Sequence, residues 1–173
     1  VWSYNDGNSV NMVDLSSEGD YIVAAADGTS GKVHLFEKDS GTPLWSYNTG
    51  GFVYYVSISA DGEYITAGGT SNKVFLFDKD SSTPEWSYET PQKVTSTEIS
   101  DDGKYILAAS NDLYFFERNS STPEWIYPNS GPWDVAISSE GSYLSTSSSG
   151  TVYSHYKDNS SLWTKSLGSC SGY

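Results

Sequence analysis

Several things are scarce in this chain, and each scarcity excludes something. Cys170 is the only cysteine. An intramolecular disulfide and a multi-cysteine zinc site are therefore both out of reach. Its setting, Ser169-Cys170-Ser171-Gly172, suggests a free thiol on a tail. Basic residues number nine against 22 acidic ones, a net charge of −13. Such a surface repels nucleic-acid phosphates and anionic lipid headgroups, so neither is expected as a partner. No apolar run approaches the ~18 residues that a membrane span needs, so no membrane insertion is expected. Helical periodicity is missing throughout, which argues against a helical solenoid. No signal peptide is visible, yet the chain starts at Val1 rather than methionine, and a leader is expected to have been removed or left out. What is abundant is aromatic: 15% Phe, Trp and Tyr, with 16 glycines and many serines. That composition leans to β structure.

Internal repetition decides the fold. Trp2-Ser3-Tyr4 returns as Trp45-Ser46-Tyr47, Trp86-Ser87-Tyr88 and Trp125-Ile126-Tyr127, with a weaker Trp163-Thr164-Lys165. The spacings are 43, 41, 39 and 38 residues. A second marker keeps step: Glu18-Gly19-Asp20-Tyr21, Asp61-Gly62-Glu63-Tyr64, Asp102-Gly103-Lys104-Tyr105 and Glu140-Gly141-Ser142-Tyr143. Each unit reads as four short strands. An alternating stretch such as Val56-Ser57-Ile58-Ser59 meets a tight acid-Gly turn, where glycine tolerates positive φ. Tyr64-Ile65-Thr66-Ala67 follows, then the doubly apolar Val74-Phe75-Leu76-Phe77, then the tryptophan strand. Runs apolar on both faces belong to a sheet packed between two neighbours. Units of this size cannot bury both faces alone, and radial stacking lets them do so.

The stretch Val-x-Ile-Ser-x-Asp-Gly-x-Tyr-Ile-x-Ala-Gly at 56–68 resembles the WD-repeat family, and Leu-Phe-Asp-Lys-Asp-Ser-Ser-Thr-Pro-Glu-Trp at 76–86 resembles the tryptophan-docking segment of quinoprotein-like propellers. The resemblance runs over nearly the whole chain. It lacks the Gly-His pair and terminal Trp-Asp of WD repeats, and only Ser40-Gly41 comes near the Thr-Gly of the docking segment. It implies an all-β propeller of four-stranded antiparallel blades. Four repeats are visible, over units of about 5–47, 48–88, 89–127 and 128–165, with 1–165 as one propeller or propeller fragment and 166–173 as a tail. The surplus tryptophan strand admits three arrangements. Trp2-Ser3-Tyr4 completes the blade holding Tyr143 and Tyr153, with Trp163 displaced into a tail. Or it marks the edge of a longer ring, the arrangement favoured here. Or two chains associate through open blade edges.

Chemistry-bearing constellations are sparse. His34 and His155 occupy different columns, aligned with Phe75 and nearer Leu76, and no nucleophile motif accompanies them, so no catalytic residue is assigned. Asp78-x-Asp80-x-Ser82 spaces oxygens as calcium loops do, but without the glycine and glutamate of such a loop; it reads as a hairpin bonding its own backbone, with no metal. No cofactor is expected. Trp45, Trp86 and Trp125 recur with the fold and read as packing. Trp133 and the pair Tyr54-Tyr55 do not recur and lie near the start of a first strand, so they are the candidate ligand contacts. Asn119-Ser120-Ser121 and Asn159-Ser160-Ser161 fit the N-glycosylation pattern in turns expected to be exposed. With the low lysine content they point to an extracellular or cell-surface setting. The leading expectation is a non-catalytic interaction module with a protein partner. A carbohydrate-binding propeller is the alternative, and a quinone-dependent dehydrogenase, which the resemblance suggests, ranks last because that family's larger ring and adjacent cysteine pair are not seen here.

Overall fold

The computed structural model describes residues 1–28, 30–128 and 131–167. Cys170 lies outside these residues. Sixteen strands form four four-stranded antiparallel sheets, each a meander in chain order. The first holds β1 (Val10–Leu15), β2 (Tyr21–Ala26), β3 (Lys32–Glu37) and β4 (Trp45–Asn48). The second holds β5 (Val53–Ile58), β6 (Tyr64–Gly69), β7 (Lys73–Asp78) and β8 (Trp86–Glu89). The third holds β9 (Ser96–Ile99), β10 (Tyr105–Ala109), β11 (Leu113–Glu117) and β12 (Trp125–Tyr127). The fourth holds β13 (Asp134–Ile137), β14 (Tyr143–Ser148), β15 (Thr151–Tyr156) and β16 (Ser161–Ser166). Three apolar clusters fill the spaces between consecutive sheets. The molecule is an all-β propeller arc of four blades.

The two sequence markers are halves of one clasp between blades. The Trp45 indole N–H donates to the Lys79 carbonyl on the next blade at 2.7 Å, while its ring lies 5.3 Å from Phe77. Trp86 repeats this with the Arg118 carbonyl at 2.6 Å and Phe116 at 5.3 Å. Trp125 repeats it with the Lys157 carbonyl at 2.8 Å. The second half is the acid-Gly turn. Ser59 holds that turn shut: its N–H donates to the Tyr64 carbonyl and its hydroxyl accepts the Tyr64 N–H. Gly62, at φ 77°, lies under the ring of Tyr21 from the preceding blade; a Cβ there would sit 2.5 Å from Tyr21 Cδ2. Gly103 meets Tyr64, and Gly141 meets Tyr105, in the same way. Arg118 then covers Tyr64 at 4.1 Å, and Lys157 covers Tyr105 at 5.1 Å.

This clasp shows where residues 2–4 belong. Trp2 donates its indole N–H to the Lys38 carbonyl at 2.6 Å and stacks on Phe36 at 5.4 Å. The segment is therefore docked on the first blade as the fourth strand of a preceding blade would be. It does not complete the blade holding Tyr143 and Tyr153. That blade has its own fourth strand, in which Trp163 pairs with Ser154, so Trp163 is not displaced into a tail. Tyr21, Tyr64, Tyr105 and Tyr143 start their second strands, and this common register puts His155 in the column of Phe36, Phe77 and Phe116, not near that of Leu76. His155 is thus the ring against which the docking tryptophan of the third blade packs, 6.4 Å from Trp125.

Among the described residues the first and fourth sheets do not pack together as consecutive sheets do. Val13 and Leu15 are 58% and 57% exposed, against 0% and 6% for the equivalent Val56 and Ile58. The two end faces differ in chemistry. Where the first sheet presents Val23, Ala25 and Leu35 to the next blade, the fourth has Ser145, Ser147 and Ser154. The outer face of the fourth sheet is therefore polar, while the first sheet leaves an apolar face.

Candidate ligand-binding site

The sequence-derived candidates Tyr54, Tyr55 and Trp133 come from two blades and meet at one cavity of about 330 Å³, completed by Asn11, Met12, Lys93 and Thr95. Every blade contributes its innermost strand or the residue before it, so the cavity sits at the axial end of the arc. Backbone irregularity aims two of these side chains. Register shifts in β1 and β5 fall at Asn11 and Tyr54, the signature of a β-bulge that redirects one residue. Thr95 and Trp133 hold the same place ahead of β9 and β13: their N–H groups donate to Ala109 and Ser147 carbonyls, both at 2.8 Å. Asn11, Tyr54, Thr95 and Trp133 are thus one column of the repeat, variable where the clasp is constant.

The wall is held from behind. The Asn11 amide donates to the Asp27 carboxylate at 2.6 Å and the Val53 carbonyl at 2.7 Å. The Thr95 hydroxyl donates to the Pro132 carbonyl at 2.6 Å, fixing the turn that carries Trp133. Lys93 lies 5.9 Å from the Tyr54 ring. Trp133 is 68% exposed. Lys93 and Thr95 were not singled out in the sequence; Thr95 falls in the column of Asn11, Tyr54 and Trp133 only once the bulges of β1 and β5 are allowed for.

Deeper along the axis, inner strands bind their neighbours through side chains. The Asp14 carboxylate accepts the Ile58 N–H at 3.0 Å, and the Glu98 carboxylate accepts the Ile137 N–H at 2.8 Å. Burial pushes Glu98 up to about 7; the Ile137 N–H opposes this, while the Asp134, Asp14 and Asp101 charges reinforce it.

No catalytic arrangement emerges from the two histidines. His34 bonds the Ser46 hydroxyl at 2.7 Å through Nδ1 and the Asp6 carboxylate at 3.2 Å through Nε2. Ser46 is the repeat serine, matched by Ser87, so this set satisfies a buried ring in a position that is Phe75 on the next blade. Burial holds His34 below the ordinary histidine value, opposed by Asp6. Among the described residues no group of His, Cys, Asp and Glu forms a metal cluster. The Asp78 turn bonds itself, Asp80 N–H donating to the Asp78 carboxylate at 2.8 Å. Asn119 is exposed as expected. Asn159 is not fully exposed: it is half-buried at φ 67°, with its carboxamide oxygen enclosed.

Repeat, clasp and axial end define a β-propeller of the WD/PQQ-repeat class. The chain belongs to the family described as outer membrane protein assembly factor BamB, whose model matches residues 29–169. No curated protein matches the sequence. One chain in a crystal structure of the mitotic checkpoint complex superimposes with a TM-score of 0.82 at 16% identity, over 95% of this chain and 55% of that one. At that identity the likeness is one of fold, and this chain spans about half the length of the structure it matches.

Proposed function

We propose that this protein is a non-catalytic binding module that receives a protein partner at the axial end of its blades. One observation carries the reading: the residues that break the repeat, Tyr54, Tyr55 and Trp133, gather around one cavity while the repeated tryptophans are spent on the clasp. Exposed aromatics on a rigid sheet lose little entropy on binding and favour recognition. The protein context of the checkpoint-complex chain and the family's description as an assembly factor support a scaffold role. We further assign an extracellular or cell-surface setting, supported by the exposed Asn119 sequon. The apolar first-sheet face is the surface through which self-association would run.

The test is selection of a displayed library of random short peptides on the intact protein. Expected are clones that bind the wild type and lose about tenfold or more on Trp133→Ala, a surface change that spares the fold. Clones that ignore Trp133→Ala and Tyr54→Ala would move the binding face elsewhere. A second reading, a glycan on the same aromatic platform, predicts a glycan-array signal lost in Trp133→Ala and no peptide enrichment.

A further inference from the structure

From the donors left open at the axial cavity, we infer that the group it receives is a carboxylate next to a flat apolar side chain, on an acidic peptide segment. This inference rests on the axial-face reading and names its ligand chemistry. Four donor groups line the cavity without a hydrogen-bond partner among the described residues: the Lys93 ammonium, the Tyr54 and Tyr55 hydroxyls, and the Trp133 indole N–H. Trp2, Trp45, Trp86 and Trp125 all donate to a backbone carbonyl, whereas Trp133 and Trp163 donate to none among the described residues, and of these two only Trp133 lines the cavity. Lys93 also pairs with no carboxylate among the described residues, unlike Lys38, Lys79 and Lys104, and like Lys157 it lies against a tyrosine ring; of the lysines it alone lines the cavity.

No carboxylate lines the cavity, and the Thr95 O–H and Asn11 amide nitrogen are already donating, so the one formal charge on its wall is the Lys93 ammonium. A neutral sugar can bond the hydroxyl and carboxamide oxygens of this wall but leaves the Lys93 charge unmatched. A carboxylate brings only acceptors and takes charge-assisted bonds from Lys93 and a tyrosine hydroxyl. The exposed Trp133 face then covers a proline or aromatic ring beside it. The net charge of −13 does not forbid this, because salt screens distant charges while the contact at Lys93 is local.

The experiment uses the intact protein and synthetic peptide pairs, Pro-Trp-Glu and Pro-Trp-Gln within an otherwise glycine-serine peptide with blocked termini, titrated calorimetrically. The glutamate peptide is expected to bind about tenfold tighter than its glutamine twin, and Lys93→Met to remove that difference. Lys93 stacks on an exposed rim, so Lys93→Met keeps the fold, which a thermal melt verifies. Equal binding of the pair, or a glutamate preference that survives Lys93→Met, overturns the carboxylate inference while leaving the axial site standing. If either peptide binds but Trp133→Ala has no effect, the axial reading fails as well. No binding by either peptide, or tighter binding of a neutral oligosaccharide, also overturns the inference.

Discussion

His34 and His155 show how one residue type is buried in two ways. His34 has a partner on each ring nitrogen, whereas neither nitrogen of His155 has one. Burial alone holds His155 below its ordinary value of 6.5. The unfolded chain therefore takes up the proton first, and stability is lost as pH falls from 6.5 towards the folded value. His155→Phe restores the column residue and should remove that part of the acid loss in urea melts between neutral and acid pH. Glu98 has the opposite sign. Its folded value near 7 lies above the ordinary 4.5, so its contribution is full below 4.5 and lost as pH rises through 7. Glu98→Gln, which still accepts the Ile137 N–H, should stabilise the protein on the alkaline side and flatten the profile there. A glycine pair separates backbone from packing. Gly19 at φ 71° has open space around it, whereas Gly62 at φ 77° lies under Tyr21. Gly19→Ala should cost only the left-handed backbone penalty, about 1–2 kcal/mol. Gly62→Ala should cost clearly more, read from denaturant midpoints of the two variants.

At the level of the element, the clasp explains why both repeat markers stayed in phase. Trp-Ser-Tyr ends one blade, Gly-x-Tyr sits in each, and the two meet the same neighbour through Phe77 or Phe116 and the basic residue after it. Trp86→Phe keeps the ring but deletes the N–H to the Arg118 carbonyl. Leaving that part-buried acceptor unmet should cost about 1–3 kcal/mol. Trp163→Phe should stay within about 0.5 kcal/mol, because that indole is 52% exposed and donates to no carbonyl among the described residues. Paired chemical denaturation curves distinguish these outcomes. Strand identity was legible because Val-Phe-Leu-Phe and Tyr-Ile-x-Ala are read by burial on both faces, a local property. The place of Trp2–Tyr4 was not, because three residues docked without a pairing strand give the same pattern as three residues inside a sheet. His155 was misaligned for a related reason: with Ser154 and Tyr156 beside it, the apolar run that marks the third strand elsewhere is broken.

For the whole molecule, position along the arc sets both what is visible in the sequence and what is stable. The candidate site was legible in Trp133, Tyr54 and Tyr55 because irregularity stands out against a repeat. Asn11, Lys93 and Thr95 were not, because a bulge puts Asn11 one residue out of step, Lys93 and Thr95 lie ahead of β9 rather than in it, and only the assembled axis brings the columns together. The same linear stacking makes stability a sum of blades and neighbour contacts, lowest where a blade has one neighbour. The second and third sheets are clasped on both sides and hold the fully buried Ile65, Leu76, Phe77, Leu107, Leu113 and Phe116. Among the described residues the fourth sheet is clasped on one side, carries Ser145, Ser147 and Ser154 on the other, and docks Trp125 on an unsatisfied imidazole in place of phenylalanine. Hydrogen exchange should therefore open β14–β16 at lower free energy than β6, β7, β10 and β11, with β10 reporting the boundary. His155→Phe should slow exchange in β14 and β15 and leave β6 and β7 unchanged. Uniform exchange across all four sheets would mean that the arc unfolds as one unit, and that its clasps are stronger than burial and hydrogen bonding at the fourth blade imply.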